Sequence, residues 1–442
     1  MGFIWASIGS AVGLGSIWRF PYIVGEHGGA IFILFYLVCI CFVGFPVLIS
    51  EIMVGRRARL DPSGSFQRLG RSGGWQRVGK MTIITGFLVS SFYCVIAGWT
   101  LYYFFQAIFG GLSHLRSAAE AARYFQDFSS SPIREASSVA VFLLITTGIL
   151  YTGVRRGIEA SNKFMMPLLL FILIILAIKG YMMPGGDEGI SFLCKPSWSK
   201  ISPATILLAL GQAFFSLSLG QGTMVTYGSY LKLGENLPKI CLPIILFGVC
   251  ISFLAGVAIF TVIFSAQLPP SSGESLMFQT LPIIFVQMSG GHFLCVLFFF
   301  LLVIAAITSQ ISAMEPCISY LMDKRCWKRG RAVIFTGLGV FLLSIPSLLS
   351  FGALREYTLF KMHFFQLLLF TCLNILIPLG GLGAVILVGW RWGFHRAFPH
   401  LKEGTGNLFV ACPLLKGYFY FSIKYVAPII IIIIMLNGVG LF

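Results

Sequence analysis

Charged residues are scarce in this chain: 10% of its 442 positions, where a soluble domain carries about 25%. That scarcity excludes an ordinary water-soluble fold. Acidic residues are the scarcer sign, 15 against 31 Lys and Arg. No CxxC pair and no HxxxH pair occurs, so neither a zinc-type centre nor a redox dithiol is encoded. The cysteines number eleven, an odd count, and most stand inside apolar runs, as Cys39, Cys41, Cys94, Cys250 and Cys372 do. They read as small buried apolar side chains. The N-terminus lacks the basic region and small-residue cleavage site of a secretory leader. Its apolar run begins abruptly at Met1, which leads us to expect a short cytoplasmic lead before it. No polar stretch is long enough for a soluble domain.

Apolar runs fill the space. A spanning helix needs about 20 apolar residues, and mean hydropathy is +0.90. Eleven runs of that order are predicted near 2–20, 31–55, 81–108, 137–153, 164–184, 203–230, 240–266, 292–322, 332–350, 363–390 and 418–441. The net charge of +16 does not point to nucleic acid, because the cations are placed asymmetrically. With the N-terminus in the cytoplasm and alternation across eleven spans, most of the 31 Lys and Arg fall inside. The largest clusters are Arg56, Arg57, Arg59, Arg68, Arg71, Arg77 and Lys80, then Lys324, Arg325, Lys328, Arg329 and Arg331. That is the positive-inside bias. It predicts a multi-pass protein of the plasma (inner) membrane with a lipid bilayer as its surroundings.

Two of the runs are broken by glycine and polar residues, Gly9–Pro21 and Gly211–Gly222. Lipid cannot satisfy the backbone groups that a helix break frees. Interrupted helices at matching places in two halves point to a transporter's substrate and ion site. The first ten spans divide into two units of five. Five is odd, so the second unit is inverted, and each unit begins with a broken helix. We therefore expect one transmembrane domain over 1–442. Its first five-helix repeat is 1–186, its second, inverted repeat 196–392, and 393–442 holds a cytoplasmic loop and the eleventh helix. The semi-apolar stretch Gln267–Gly291 is expected to dip toward the core as an external lid.

A phosphate-loop-like run, Gly74-Trp75-Gln76-Arg77-Val78-Gly79-Lys80-Met81, lacks the final Ser/Thr that would hold Mg2+ and precedes a span rather than following a strand. No convergent acid–base or metal constellation is visible. An enzyme is not expected.

The residues then carry a resemblance. Gly9–Pro21 with Gly25-Glu26-His27-Gly28-Gly29 resembles the first-helix signature of the neurotransmitter:sodium symporter family. Glu51–Arg56, Ser91–Thr100, Gly211–Tyr230, Ala305–Ser309 and Glu315-Pro316 extend it over essentially the whole chain. The resemblance implies an all-α polytopic fold of the leucine-transporter type, a 5+5 inverted repeat with helices 1 and 6 unwound. It implies a Na+-coupled symporter for an amino acid, with the amino-acid substrate bound between those two helices. A transport-impaired relative that senses amino acids is the alternative.

By the same resemblance the substrate pocket comprises Ser10, Ala11, Gly13, Gly15, Val89, Tyr93, Phe215, Ser216, Ser218, Gln221, Ser309 and Ala313. Monoamine members carry an aspartate at the Gly13 position, so glycine implies a substrate that brings its own carboxylate. Tyr93 is expected to bond that carboxylate. Gln221 and Ala313 replace a phenylalanine and an isoleucine of the leucine transporter, which implies a larger or more polar cavity. Sodium is a hard cation and takes oxygen ligands. Thr308 and Ser309, with the carbonyls of Gly9, Val12 and Ala305, match the family's second sodium site. The first site departs from the family pattern: Ser16 and Gly248 stand where two asparagines are usual, leaving Ala11, Ser16 and Ser216. A chloride set is implied at Tyr36, Gln212, Ser216 and Ser252. Arg19 resembles the external-gate arginine; the tenth span lacks the usual acid, Leu369 included, so Gln366 or a bridging water is expected as its partner. Asp323 resembles the internal-gate aspartate, whose family partner lies upstream of the first helix. Glu51 is expected to accept hydrogen bonds from the unwound sixth helix.

Overall fold

The computed structural model describes residues 2–196, 198, 201–267, 276–288 and 290–438. Among these, nine helices are long and apolar enough to cross a membrane. Two further crossing elements are broken, and we number all eleven in chain order. They are α1 (α1a, Gly2–Ala11; α1b, Phe20–Glu26), α2 (Ala30–Ala58), α3 (Gly73–Ile108), α4 (Pro132–Tyr151) and α5 (Arg156–Tyr181). There follow α6 (α6a, Pro203–Ser216; α6b, Thr223–Tyr230), α7 (Leu237–Ser265), α8 (Gly291–Arg325), α9 (Arg329–Leu349), α10 (Phe364–Arg391) and α11 (Pro413–Asn437).

Helix ends differ from the hydropathy boundaries, because a helix continues wherever its backbone bonds allow. The helix of α3 starts at Gly73, ahead of its apolar run. Local chemistry sets several starts. Pro203 follows Ser202, whose hydroxyl accepts from the Thr205 N–H at 3.1 Å. Asn236 caps α7 by accepting from the Lys239 N–H at 2.9 Å.

Both breaks have a backbone cause. After Ala11 the helix stops at Val12–Gly13 and resumes through a π-helical turn, Gly15–Arg19. In α6 three residues adopt positive φ: Ser218 (53°), Gly220 (74°) and Gly222 (78°). No α-helix runs through left-handed residues. Gly220 is also required by space, since a Cβ there would lie 1.9 Å from the Ile377 carbonyl oxygen.

The most enclosed elements are α3 and α8; they pack against each other, and α8 also packs against α1. Large apolar side chains left exposed, such as Leu144, Phe164, Phe171, Phe293, Phe335 and Leu342, stand on the outer faces of α4, α5, α8 and α9. Lipid is the solvent that suits them. The cysteine expectation needs correction. All eleven are free thiols, but Cys194, Cys326 and Cys412 are exposed at helix ends, and Cys41 and Cys250 face outward from their helices rather than inward. Their apolar runs are lipid-facing there, and lipid accepts a thiol as readily as a core does. Of the stretch expected as a lid, 268–275 lies outside the described residues. Met277, Phe278, Leu281 and Phe285, farther along it, are buried.

Candidate functional site

The two breaks face each other and are joined. The Ser218 hydroxyl donates to the Ser10 carbonyl at 2.8 Å. The Gly220 N–H, freed by the break, donates to Glu51 Oε1 at 2.7 Å. Glu51 is fully buried and its second oxygen has no protein partner. On the α1 side the freed Leu14 N–H donates to the Tyr93 hydroxyl at 3.1 Å. Each break is thus held by a side chain from a neighbouring unbroken helix.

Between the breaks lies a narrow, largely filled cavity. Its walls are Ser10, Ala11, Gly13, Gly15, Val89, Tyr93, Phe215, Ser216, Ser218, Gln221, Ser309 and Ala313. These are the residues grouped above for a substrate. Gly13 is where the walls converge most closely. A Cβ there would lie 1.8 Å from Ser309 Oγ, 2.7 Å from Ser309 Cβ and 3.2 Å from the Tyr93 hydroxyl. Gly15 makes room for the Phe215 ring, whose Cδ1 would be 2.6 Å from an added Cβ. Gln221 Oε1 is buried without a protein partner.

Part of the set expected for the second sodium site also gathers. Thr308 Oγ1 lies 3.4 Å from the Val12 carbonyl oxygen and 3.0 Å from that of Ala305. Ser309 Oγ lies 3.5 Å from the Ser10 carbonyl oxygen. The 3.0 Å contact is a hydrogen bond of the Thr308 hydroxyl back to its own helix, whereas the Val12 and Ser10 contacts reach across to the broken helix. Gly9 is packed against Asn162 of α5, whose Oδ1 would be 2.0 Å from an added Cβ.

The first sodium set is poorer. Ser16 Oγ donates to the Ala11 carbonyl at 3.2 Å. Ser216 Oγ is 3.0 Å from the Tyr36 hydroxyl and 3.3 Å from the Ala213 carbonyl oxygen. A Cβ added at Gly248 would meet only Leu217 Cδ2, at 3.9 Å. The chloride set comes together in part. The Tyr36 hydroxyl is bonded to Ser216 and also faces the buried Ser252 hydroxyl. Gln212 is turned elsewhere. Its Nε2 donates to the Gly15 carbonyl at 2.8 Å and its Oε1 accepts from Arg19 Nη1 at 2.8 Å.

That last bond corrects the gate expectation. Arg19 pairs with Gln212 and not with Gln366. It is buried, with its guanidinium carbon 5.5 Å from the Phe215 ring centroid, within cation–π range. Gln366 instead accepts from the His363 N–H at the start of α10. Sequence neighbours gave no hint of Gln212, which is 193 positions from Arg19. At the opposite side, Asp323 Oδ2 accepts from the Asp61 N–H at 2.8 Å. Asp61 in turn caps the helix Pro62–Gly70, accepting from Ser63 and Gly64 N–H. Burial pushes the Asp61 carboxyl up to about 6, against the lowering effect of those backbone donors.

A nearby cluster escaped the sequence reading. Glu315 accepts from both terminal nitrogens of Arg329 at 2.8 Å and from the Tyr230 hydroxyl at 2.8 Å. Arg329 Nε donates to the Leu150 carbonyl. This fork ties α4, α6b, α8 and α9 together. An acid inside an apolar span was the available signal. A second buried acid, Glu135, accepts from Trp99 Nε1 at 2.6 Å.

Known proteins match this geometry. The family described as "Sodium:neurotransmitter symporter family" matches residues 1–123 and 126–441. A sodium-dependent transporter of Bacillus subtilis is 34% identical over 444 residues, covering 100% of this chain and 97% of its own. A sodium-dependent transporter of Methanocaldococcus jannaschii is 30% identical, covering 91% and 83%. Among solved structures, MhsT in complex with L-phenylalanine has a TM-score of 0.91 and 39% identity, covering 99% of this chain and 98% of that one.

Proposed function

The chain belongs to the sodium:neurotransmitter symporter family, and from that premise we propose that it carries an amino acid across the membrane together with sodium. A sodium-coupled, multi-pass membrane transporter of leucine-transporter fold is the common ground of the relatives. The finer reading concerns cargo and site. The observation that carries it is the bare Gly13. No side chain there neutralises a cationic substrate, and Ser309 and Tyr93 crowd the space one would need. The neighbouring half-helix start offers N–H groups and a positive dipole end, which favour a carboxylate. MhsT, with L-phenylalanine bound, makes an α-amino acid the natural class.

In this reading the N-terminus is cytoplasmic in the plasma membrane, and 1–186 and 196–392 are the inverted repeats. Sodium occupies the oxygens of Gly9, Val12, Ala305, Thr308 and Ser309. The substrate fills the cavity between the breaks. Arg19, Gln212 and Phe215 cover it on the external side. Asp323 with Asp61, and Glu315 with Arg329 and Tyr230, hold the cytoplasmic side shut. Ion and substrate share α1 and Ser309, so each raises the other's affinity by the same factor. The test is uptake of a labelled amino-acid panel by Thr308→Ala/Ser309→Ala protein. Loss of Na+ stimulation with folding intact supports the site, and unchanged stimulation overturns it.

Ser16 and Gly248 motivate the alternative, a relative that binds amino acids without accumulating them. Chloride use follows from Tyr36, Ser216 and Ser252 only if Gln212 leaves Arg19 and turns to them.

A further inference from the structure

Gln221 stands in the α6 break, between Gly220 and Gly222, and lines the cavity between the two broken helices. It is only 6% exposed, yet its amide oxygen has no partner among the described residues. The Ser10 hydroxyl, in the same wall but on α1a, is likewise buried and unpartnered. A buried polar atom without a hydrogen bond is destabilising. Methionine would fill the volume of Gln221 with an apolar, adaptable side chain and no such penalty. The amide oxygen therefore wants a donor that enters the cavity from outside.

Its place along the cavity decides which part of a substrate it meets, and α3 supplies the scale. Gly86, Val89 and Tyr93 share one face of that helix. Tyr93, bonded to the Leu14 N–H, marks the proposed carboxylate end. Gly86 lies about 10 Å from it along the helix axis. A Cβ at Gly86 would stand 2.9 Å from the Gln221 carbonyl oxygen and 3.1 Å from that of Ala313. Gln221 and Ala313 thus close the end remote from Gly13 and Tyr93, and Val89 lies between. An amino acid held by its carboxylate at Gly13 and Tyr93 presents its side chain to Gln221. In the open protein, water serves the amide. The cavity is too narrow to keep that water beside a substrate, so closure leaves the substrate's own side chain to replace it. A hydroxyl or carboxamide does so. A methyl group does not, and a site built on a hydrogen bond rejects the analogue that lacks it.

We propose that the cargo is a small neutral amino acid with a hydroxyl or carboxamide side chain, whose terminal O–H or N–H donates to the Gln221 amide oxygen. This rests on the amino-acid reading above and narrows it. Gln221 is then the residue that sets the class of side chain accepted. The apolar L-phenylalanine bound by MhsT is a poor substrate for this chain.

The experiment uses the full chain in proteoliposomes under an inward Na+ gradient. The probes are two labelled pairs of matched shape, threonine with valine and asparagine with leucine, each pair differing in its hydrogen-bonding group. In wild type the polar member should exceed its apolar partner at least about tenfold in kcat/KM. Gln221→Met should bring the two members within about twofold, by losing the polar one. Retained transport of the apolar member shows that the variant folds. An apolar member that matches or exceeds its polar partner in wild type overturns the proposal, whether or not the variant folds. So does uptake confined to apolar or charged amino acids. A polar preference that survives intact in Gln221→Met overturns it as well, because another group then reads the side chain. Wild-type protein that neither binds nor accumulates any amino acid would instead overturn the underlying amino-acid reading.

Discussion

Gly13→Ala places a methyl group in the most crowded part of the cavity. The added Cβ would stand 1.8 Å from Ser309 Oγ and 2.7 Å from Ser309 Cβ. Rotating the serine relieves the first contact but not the second. Either α1 or α8 must therefore shift. Overpacking of this kind costs about 1–3 kcal/mol. A shift that size separates Ser309 Oγ from the Ser10 carbonyl, now 3.5 Å apart, and Thr308 from the Val12 carbonyl. If the cost falls on the ion-bound state, sodium affinity drops roughly 5- to 150-fold. Radioactive-sodium binding and thermal denaturation read the two quantities separately. Gly13→Ala/Ser309→Gly removes both overlapping atoms, leaving the Tyr93 hydroxyl at 3.2 Å as the nearest group. Stability should return in that double variant while sodium affinity stays low, because an oxygen ligand is missing. Wild-type sodium affinity in Gly13→Ala would refute the shared use of Ser309.

Three other substitutions separate the supports. Tyr93→Phe removes the acceptor for the Leu14 N–H and should weaken amino-acid binding roughly tenfold, measured by uptake half-saturation. Glu51→Gln keeps an oxygen for the Gly220 N–H, whereas Glu51→Leu orphans it and should cost about 1–3 kcal/mol of stability, so equal melting of the two variants would contradict the assigned bond. Asp61 gives a pH test. Its folded pKa, about 6, lies above the unfolded value, so the folded state holds the proton more tightly. That stabilisation is present in full below the unfolded pKa and is lost as pH rises through about 6. Asp61→Asn keeps a capping side chain and should flatten this part of the melting-versus-pH curve.

The broken helices were legible because glycine and hydroxyl residues interrupt otherwise continuous apolar runs at Gly9–Pro21 and Gly211–Gly222. Thr308 and Ser309 were legible for a similar reason, as adjacent hydroxyls in an apolar helix. The cavity wall came from resemblance, since nothing local marks Val89 or Ala313 as lining a site. Long-range polar pairing was the illegible part. Gln212 lies in the same apolar segment as its neighbours, and only the folded α1–α6a contact shows that it holds Arg19. Glu315 was an acid inside a span whose signal went unread, and its partner Arg329 sat in a cationic cluster already explained by topology. Asn162 follows a basic, polar stretch at the start of α5, where an amide looks solvated. Burial there depends on α1a, which sequence spacing does not report.

The central claim is coupling, and uptake into proteoliposomes reads it most directly. A labelled amino-acid panel is offered under an inward Na+ gradient and, in parallel, under a matched K+ gradient. The account predicts that at least one amino acid accumulates inside above its external concentration with Na+ and does not with K+. Na+-sensitive binding in the same preparation with no accumulation of any amino acid would contradict it.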